Sequence, residues 1–245
     1  MNILIIGGSS LIAQNVAYIY SKDLSNKIIL TSRNLDKAKI IAEDLKIRTN
    51  NQNIFFLEFN PNDFNSHLEF KEKVLNIFDI DLLIISYGNL SSNKDVGYNY
   101  EKFLNEININ FLSVCSIIYT FIDFFTTKQK GKIAVITSVA GVRARYSNYI
   151  YGVGKGSLIL FLQGLRSNLI EKNVQIIDIR PGLVDTPMTK NIKKSFLFAS
   201  PEKVAKDIVI GISKNKDIIY TPYFWKIVMM VIKLIPEKIF KKLKF

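Results

Sequence analysis

The stretch Asn2-Ile3-Leu4-Ile5-Ile6-Gly7-Gly8-Ser9-Ser10-Leu11-Ile12-Ala13 opens the reading of the fold. A short, uninterrupted apolar run ends in two glycines and two serines, then passes straight into helical period. Six more runs follow: Lys27–Leu30, Ile54–Phe59, Asp81–Ser86, Lys132–Thr137, Val174–Ile179 and Asp217–Tyr220. Each is four to eight residues of mainly Ile, Val, Leu or Phe, without polar alternation. Strands buried on both faces read this way, which predicts a parallel sheet covered on either side. Segments of helical period lie between them: Leu11–Ser21, Leu35–Lys46, Asp63–Phe78, Tyr100–Thr127, Tyr149–Glu171 and Pro201–Ser213. The last begins Ser200-Pro201-Glu202, an N-cap followed by proline at the first helical position.

This alternation predicts an α/β fold: a doubly wound, Rossmann-type sheet of seven parallel strands. A single domain is expected over 1–221, with an amphipathic basic extension over 222–245. The length of 245 residues suits one such domain, and 48% hydrophobic content supplies its core. The Tyr100–Thr127 helix is apolar nearly all round, and packing against a subunit partner in a homodimer or homotetramer is one reading of that.

The single cysteine, Cys115, excludes a disulfide framework and a Cys-rich metal site. The single histidine, His67, excludes His-cluster metal chemistry and argues against a Ser-His-Asp hydrolase. No metal site is expected. Cys115 reads as core and His67 as surface. The net charge of +12 comes from 33 basic residues, mostly lysines scattered along the chain, and no basic-aromatic stripe or recognition helix suggests nucleic acid. No secretory signal and no membrane-spanning segment are expected, so the reading is a cytoplasmic protein, with the inner membrane face as a place it could lie.

Three places carry chemistry. Gly7-Gly8-Ser9-Ser10 at the first strand-to-helix turn lets a pyrophosphate approach the backbone at a helix N-terminus. The second strand ends Leu30-Thr31-Ser32-Arg33, with a hydroxyl and a guanidinium where an NAD site would place a carboxylate. That favours the 2′-phosphate of NADPH, with NADH as the alternative. Third, Tyr151 and Lys155 are four apart on a helix and so share a face. A cation there would bring a phenol of pKa near 10 toward the range of general acid catalysis.

Tyr18/Lys22 and Tyr98/Lys102 have the same spacing, but only Tyr151 follows a strand ending in Thr137-Ser138-Val139-Ala140-Gly141 and precedes one ending in Arg180-Pro181-Gly182-Leu183-Val184-Asp185-Thr186. Carboxyl ends of parallel strands are where ligands bind in such sheets. Glycines at 152, 154 and 156 cost about 1 kcal/mol each in a helix interior, a cost that a closely approaching cofactor or backbone would explain.

Together these residues resemble the short-chain dehydrogenase/reductase family over essentially the whole chain. The resemblance implies that Tyr151 protonates a substrate carbonyl, Lys155 lowers the Tyr151 pKa and holds the nicotinamide ribose, and Ser138 hydrogen-bonds the carbonyl oxygen. It implies that Asn110, rather than nearby Asn108, positions a proton-relay water. The implied cofactor contacts are Gly7, Ser9, Ser10, Leu11, Ile12, Ser32, Arg33, Asn60, Gly88, Tyr151, Lys155, Pro181, Gly182, Val184 and Thr186. Three positions depart from the family pattern: Leu11 and Ala13 replace glycines of the phosphate loop, Ser86-Tyr87-Gly88 replaces Asn-Ala-Gly, and Asn60 replaces the acidic residue at the adenine.

Within the family, 148–152, 180–188 and the tail from Pro222 are similar to reductases of decaprenylphosphoryl-2-keto-erythro-pentose. That likeness implies reduction of a polyprenyl-phosphate-linked 2-keto pentofuranose to its arabinose form for cell-envelope polysaccharide, with a flavin-dependent sugar oxidase as pathway partner. Read physically, the tail is a mostly apolar helix with Lys226 and Lys233 on one face and the only tryptophan, Trp225, closed by Pro236. Such a helix suits an anionic membrane interface or a lipid substrate, or docks on the protein itself. Two alternatives stand beside this reading: a reductase of a soluble or nucleotide-linked keto sugar or other carbonyl, and a non-catalytic nucleotide-binding regulator.

Overall fold

A computed structural model describes residues 1–91 and 96–243. Lys244 and Phe245, the end of the basic extension, lie outside the described residues. In chain order the elements are β1 (Asn2–Ile6), α1 (Leu11–Ser21), β2 (Lys27–Ser32), α2 (Leu35–Thr49), β3 (Ile54–Glu58), α3 (His67–Leu75), β4 (Leu82–Ile85) and α4 (Tyr100–Ile107). A π turn (Asn108–Leu112), α5 (Ser113–Lys128), β5 (Gly131–Ile136), α6 (Tyr149–Asn168), β6 (Val174–Pro181), a two-strand ribbon of β7 (Leu183–Val184) and β8 (Phe198–Ala199), α7 (Pro201–Ser213), β9 (Ile218–Thr221), α8 (Phe224–Leu234) and α9 (Glu237–Phe240) complete it.

The seven-stranded sheet runs β3-β2-β1-β4-β5-β6-β9 and every pairing is parallel. The absence of alternation in β1 has a direct cause. Ile3 and Ile5 enter the core layer under α1, α2 and α7, while Leu4 and Ile6 enter the opposite layer with α3, α5 and α6. All four are fully buried, so both sides of the strand must be apolar. Strand order reverses between β1 and β4, which leaves a crevice at their carboxyl ends.

Helix boundaries follow local chemistry. Asn34 caps α2 by accepting from the Lys37 N–H at 2.8 Å, and Ser200 caps α7 by accepting from Lys203 at 3.2 Å. The helix read over Tyr100–Thr127 is continuous in direction but divided by the π turn. That run is long and apolar enough to cross a membrane. Its apolar side is accounted for otherwise, since Val114, Ile117, Ile118, Phe121 and Phe125 are fully buried against the sheet and α3.

His67 is a correction: it is buried, not superficial. Its Nδ1 lies 2.8 Å from the Ser116 hydroxyl, and its ring packs between Phe59 and Phe64. Burial is the main cause of its lowered pKa. It starts α3, whose apolar side faces α5, so a polar neighbourhood in sequence was no guide to its exposure. Cys115 is buried as expected, and its thiol is pushed up to about 12 by desolvation.

The extension docks on the domain. Trp225 and Met229 of α8 are buried with Val139, and Gly182 leaves room for the indole. Arg143 fastens the far end: its Nη1 donates to the carbonyls of Ile232 (2.6 Å) and Ile235 (2.7 Å), its Nη2 pairs with Glu237 (3.0 Å), and it stacks on Phe240. A cation at these last carbonyls satisfies acceptors that the helix itself leaves open. The other side of α8, with Ile227, Met230, Val231 and Leu234, stays exposed, as do Lys226 and Lys233.

Candidate active site

The crevice holds two adjoining cavities of about 550 Å³ and 450 Å³ that share Ser9, Ser10, Ser86, Tyr87, Gly88 and Met188 as walls. The larger is lined by Ser138, Tyr151 and Lys155, and also by Leu11, Ile12, Pro181, Gly182, Val184 and Thr186. The smaller is lined by Gly7, Ser32 and Arg33. Asn60 lines neither: it is exposed, and its Oδ1 accepts from the Asn62 N–H at 3.1 Å in a local turn. Its neighbours Phe59, Pro61 and Asn62 form that wall instead.

Four elements deliver the candidate catalytic side chains. Ser138 follows β5 and caps a short 3₁₀ turn, its Oγ accepting from the Ala140 N–H at 3.0 Å. Tyr151 and Lys155 stand one turn apart on α6. Lys155 is buried, and its Nζ donates to the Ile136 carbonyl at 3.0 Å. Asn110 comes from the π turn, a feature common at functional sites because the extra residue redirects one side chain.

Fully buried, Asn110 is held on both sides: its Oδ1 accepts from the Asn89 N–H and its Nδ2 donates to the Asn89 carbonyl, each at 3.0 Å. Its Nδ2 also donates to Glu106 at 3.2 Å. A Cβ on Gly88 would lie 2.8 Å from Asn110 Oδ1 and 3.2 Å from Lys155 Nζ, so the amide and the ammonium meet over this one glycine. Gly154 answers the question of helix glycines in α6. A Cβ there would stand 2.9 Å from Asn110 Cβ, so the close neighbour is the π turn of the protein itself.

Sequence reasoning missed three participants. Glu106 is buried and accepts from Asn89, Ser91 and Asn110. Asp178 is buried, accepts from Thr137 at 2.6 Å and pairs with Arg180 at 2.6 Å, bracing the ends of β5 and β6. Arg145 lines the larger cavity from the loop between Ser138 and Tyr151. The usable signal for it was two arginines, five and seven residues after Ser138, at 143 and 145, in a chain whose positive charge is otherwise mostly lysine.

The electrostatics correct one expectation. Burial pushes the Tyr151 phenol up to about 12, opposed by a hydrogen bond from Ser138 and by the Arg145 guanidinium. The cation acting on the phenol is therefore Arg145, because the Lys155 ammonium is engaged with Ile136. Burial brings Lys155 down to about 8, with Asp178 pulling the other way.

The cleft fits a dinucleotide. Gly7 has φ +86°, and a Cβ there would meet the Tyr87 backbone at 2.9 Å, so only glycine makes the turn into α1. Ser10 caps α1 without using its side chain, and Ser9, Ser10, Leu11 and Ile12 at that helix N-terminus line the larger cavity. The Ser86 hydroxyl is buried, lines both cavities and has no partner among the described residues. Leu11 occupies the first position of α1, partly exposed, and Ala13 is buried against the core.

Residues 1–196 match the family model described as short chain dehydrogenase. The chain belongs to the short-chain dehydrogenase/reductase family and is an NAD(P)-dependent oxidoreductase. It is similar to an NADP-dependent 3-hydroxy acid dehydrogenase of Schizosaccharomyces pombe, 26% identical over 89% of this chain and 88% of that protein. An uncharacterised oxidoreductase of Mycobacterium tuberculosis is 23% identical over 98% of this chain and 96% of its own length. Among solved structures, a Burkholderia cenocepacia short chain dehydrogenase in complex with NADP superposes with a TM-score of 0.81 at 14% identity, covering 95% of this chain and 92% of that one. A Sphingobium yanoikuyae short-chain dehydrogenase in complex with NADPH gives 0.80 at 17% identity, covering 96% of each chain.

Proposed function

We propose that the protein reduces a ketone with NADPH, and that its substrate is a polyprenyl-phosphate-linked 2-keto pentofuranose. The observation that carries the reductase reading is the meeting of Ser138, Tyr151 and Lys155 at one cavity on the switch point of the sheet, with Asn110 beside Lys155 behind the Gly88 wall. When bound, the reduced nicotinamide supplies the hydride. Tyr151, protonated because its pKa stands far above neutral, gives its phenolic proton to the carbonyl oxygen. Ser138 donates a hydrogen bond to the same oxygen and Lys155 holds the cofactor ribose. Asn110, fixed by Asn89 and Glu106, orders the path by which the phenol regains a proton. Arg33 and Ser32 in the smaller cavity take the 2′-phosphate, in keeping with the NADP dependence of the fission-yeast relative. The convergence of these groups speaks against a regulator without catalysis.

The substrate reading rests on the likeness of 148–152, 180–188 and the tail to the keto-pentose reductases, and on α8. That helix packs Trp225 against Gly182, a wall of the larger cavity, while its other side remains apolar and lysine-bearing. A lipid chain leaving the cavity would meet this helix, and an anionic leaflet would meet the lysines. In the same reading the protein works as a homodimer or homotetramer at the inner membrane face and takes its ketone from a flavin-dependent oxidase. A second reading, a soluble 3-oxo acid substrate, is favoured by the fission-yeast 3-hydroxy acid dehydrogenase.

The test is a fluorescence titration of NADPH and of NADH, with and without anionic vesicles, followed by turnover of Tyr151→Phe. The expected result is tighter NADPH binding and a turnover loss of about 100-fold or more in the variant with cofactor affinity kept. Binding of neither cofactor, or unchanged turnover, overturns the reductase reading. Absence of any vesicle effect favours the soluble substrate.

A further inference from the structure

Arg145 does more than bias the Tyr151 phenol. It lines the larger cavity with Ser138 and Tyr151, yet among the described residues its side chain makes no hydrogen bond or ion pair, and its Nε is buried without a partner there. A guanidinium cannot shed its charge, so leaving one desolvated and unpaired is costly unless a ligand completes it. Burial lowers its pKa, with only Tyr151 acting against that.

Three observations say what completes it. Among the described residues no aspartate or glutamate lines either cavity, so none of them supplies a counter-charge there. The cofactor phosphates have their own donors at Ser9, Ser10 and Arg33, and Arg145 does not line the smaller cavity where Arg33 lies. Finally, Arg145 enters on the loop between Ser138 and Tyr151, and its field acts on the Tyr151 phenol, so it sits beside the place where a carbonyl must stand. The loop is itself anchored, because Arg143 two residues earlier is bound to three carbonyls at the end of α8.

We infer that Arg145 is a specificity-determining residue that selects ketones carrying an oxyanion, a carboxylate or a phosphoester, close to the carbonyl. The planar fork of arginine suits either group. The inference rests on the reductase reading and deepens it, since both proposed substrates share this chemistry. A phosphoester on the carbon next to the ketone and a carboxylate one carbon removed place the anion similarly. Anion binding also screens Arg145 from Tyr151, which keeps the phenol protonated until the carbonyl draws its proton.

The experiment compares wild type with Arg145→Gln and Arg145→Lys on two matched pairs with NADPH: acetoacetate against its methyl ester, and dihydroxyacetone phosphate against dihydroxyacetone. Wild type is expected to prefer the anionic member of at least one pair. Arg145→Gln is expected to lower kcat/KM for that member by about 100-fold, at least about tenfold more than for the neutral one, which also loses the field on Tyr151, with NADPH affinity kept within about threefold. Arg145→Lys should recover part of the loss. Preference for the phosphate pair identifies a phosphoester substrate, and preference for acetoacetate identifies an oxo acid.

Thermal shift with the same anions and no cofactor gives a second readout: the Tm rise seen in wild type should vanish in Arg145→Gln. If wild type shows no charge preference and no anion-dependent shift, or if the variant lowers both members equally, the inference falls. Anion-dependent stabilisation lost with Arg145, but no turnover of any ketone, upholds the anion site and overturns the reductase reading alone.

Discussion

Lys155 shows how burial sets behaviour at a single residue. Its ammonium is enclosed, spends one donor on the Ile136 carbonyl, and has a pKa lowered to about 8. The unfolded chain holds that proton to about 10.4, so between the two values the unfolded state binds more protons. Stability should therefore rise as pH increases from about 8 to 10, and the burial of the charge is a cost below that window. Cofactor binding should move the opposite way, because only the ammonium attracts the ribose and phosphates. NADPH affinity is expected to weaken as pH passes about 8, and Lys155→Arg, which keeps its charge, should flatten the profile. A titration series from pH 6 to 10 checks this, and a wild-type curve as flat as the variant's would contradict it. At this scale sequence spacing located the Tyr151–Lys155 pair, since helical period alone brings the two onto one face. It did not reveal that Arg145 is the cation acting on the phenol, because loop conformation decides which charges a buried group meets.

Among elements, α8 is held at its far end by Arg143 and at its near end by the seat of Trp225 on Gly182. A Cβ at Gly182 would fall 1.8 Å from the Trp225 indole nitrogen, far inside contact distance. Gly182→Ala should expel the indole and loosen the helix, losing part of the roughly 3–5 kcal/mol typical for a buried tryptophan. Because Trp225 is the only tryptophan, its emission should shift to the red, and trypsin should cut at Lys226 or Lys233 sooner than in wild type. Unchanged emission and digestion would mean that the helix does not rely on this site. The strands and the caps of α2 and α7 were legible from apolar runs and from Asn34 and Ser200-Pro201, because those signals are local. The π turn was not. It inserts one residue where Asn110 must face Asn89 and Glu106, and no periodicity in Glu106-Ile-Asn-Ile-Asn110 separates that turn from regular helix.

Considered whole, the molecule joins a nucleotide-binding sheet to a basic, half-docked apolar helix on the wall of its larger cavity. Four of the extension's exposed lysines, at 233, 238, 241 and 242, lie in the last turn of α8 and beyond it. If anionic lipid is the surface it meets, each contributes on the order of 1 kcal/mol, and replacing all four with glutamine should abolish co-sedimentation with phosphatidylglycerol vesicles at low salt. Wild-type binding should itself fade as salt rises. Equal sedimentation of wild type and variant would remove the membrane from the account. The sequence by itself determined the doubly wound parallel sheet, the glycine turn at Gly7, the Tyr151–Lys155 face and the amphipathic tail, because each follows from spacing over a few neighbouring residues. Only the tertiary structure decided that His67 is buried, that Asn60 stands outside the cleft, that Trp225 docks on Gly182, and that Arg145 shares a cavity with Tyr151 with no side-chain partner among the described residues. Those facts depend on residues far apart in the chain being packed against one another, and no local pattern encodes which of them will meet.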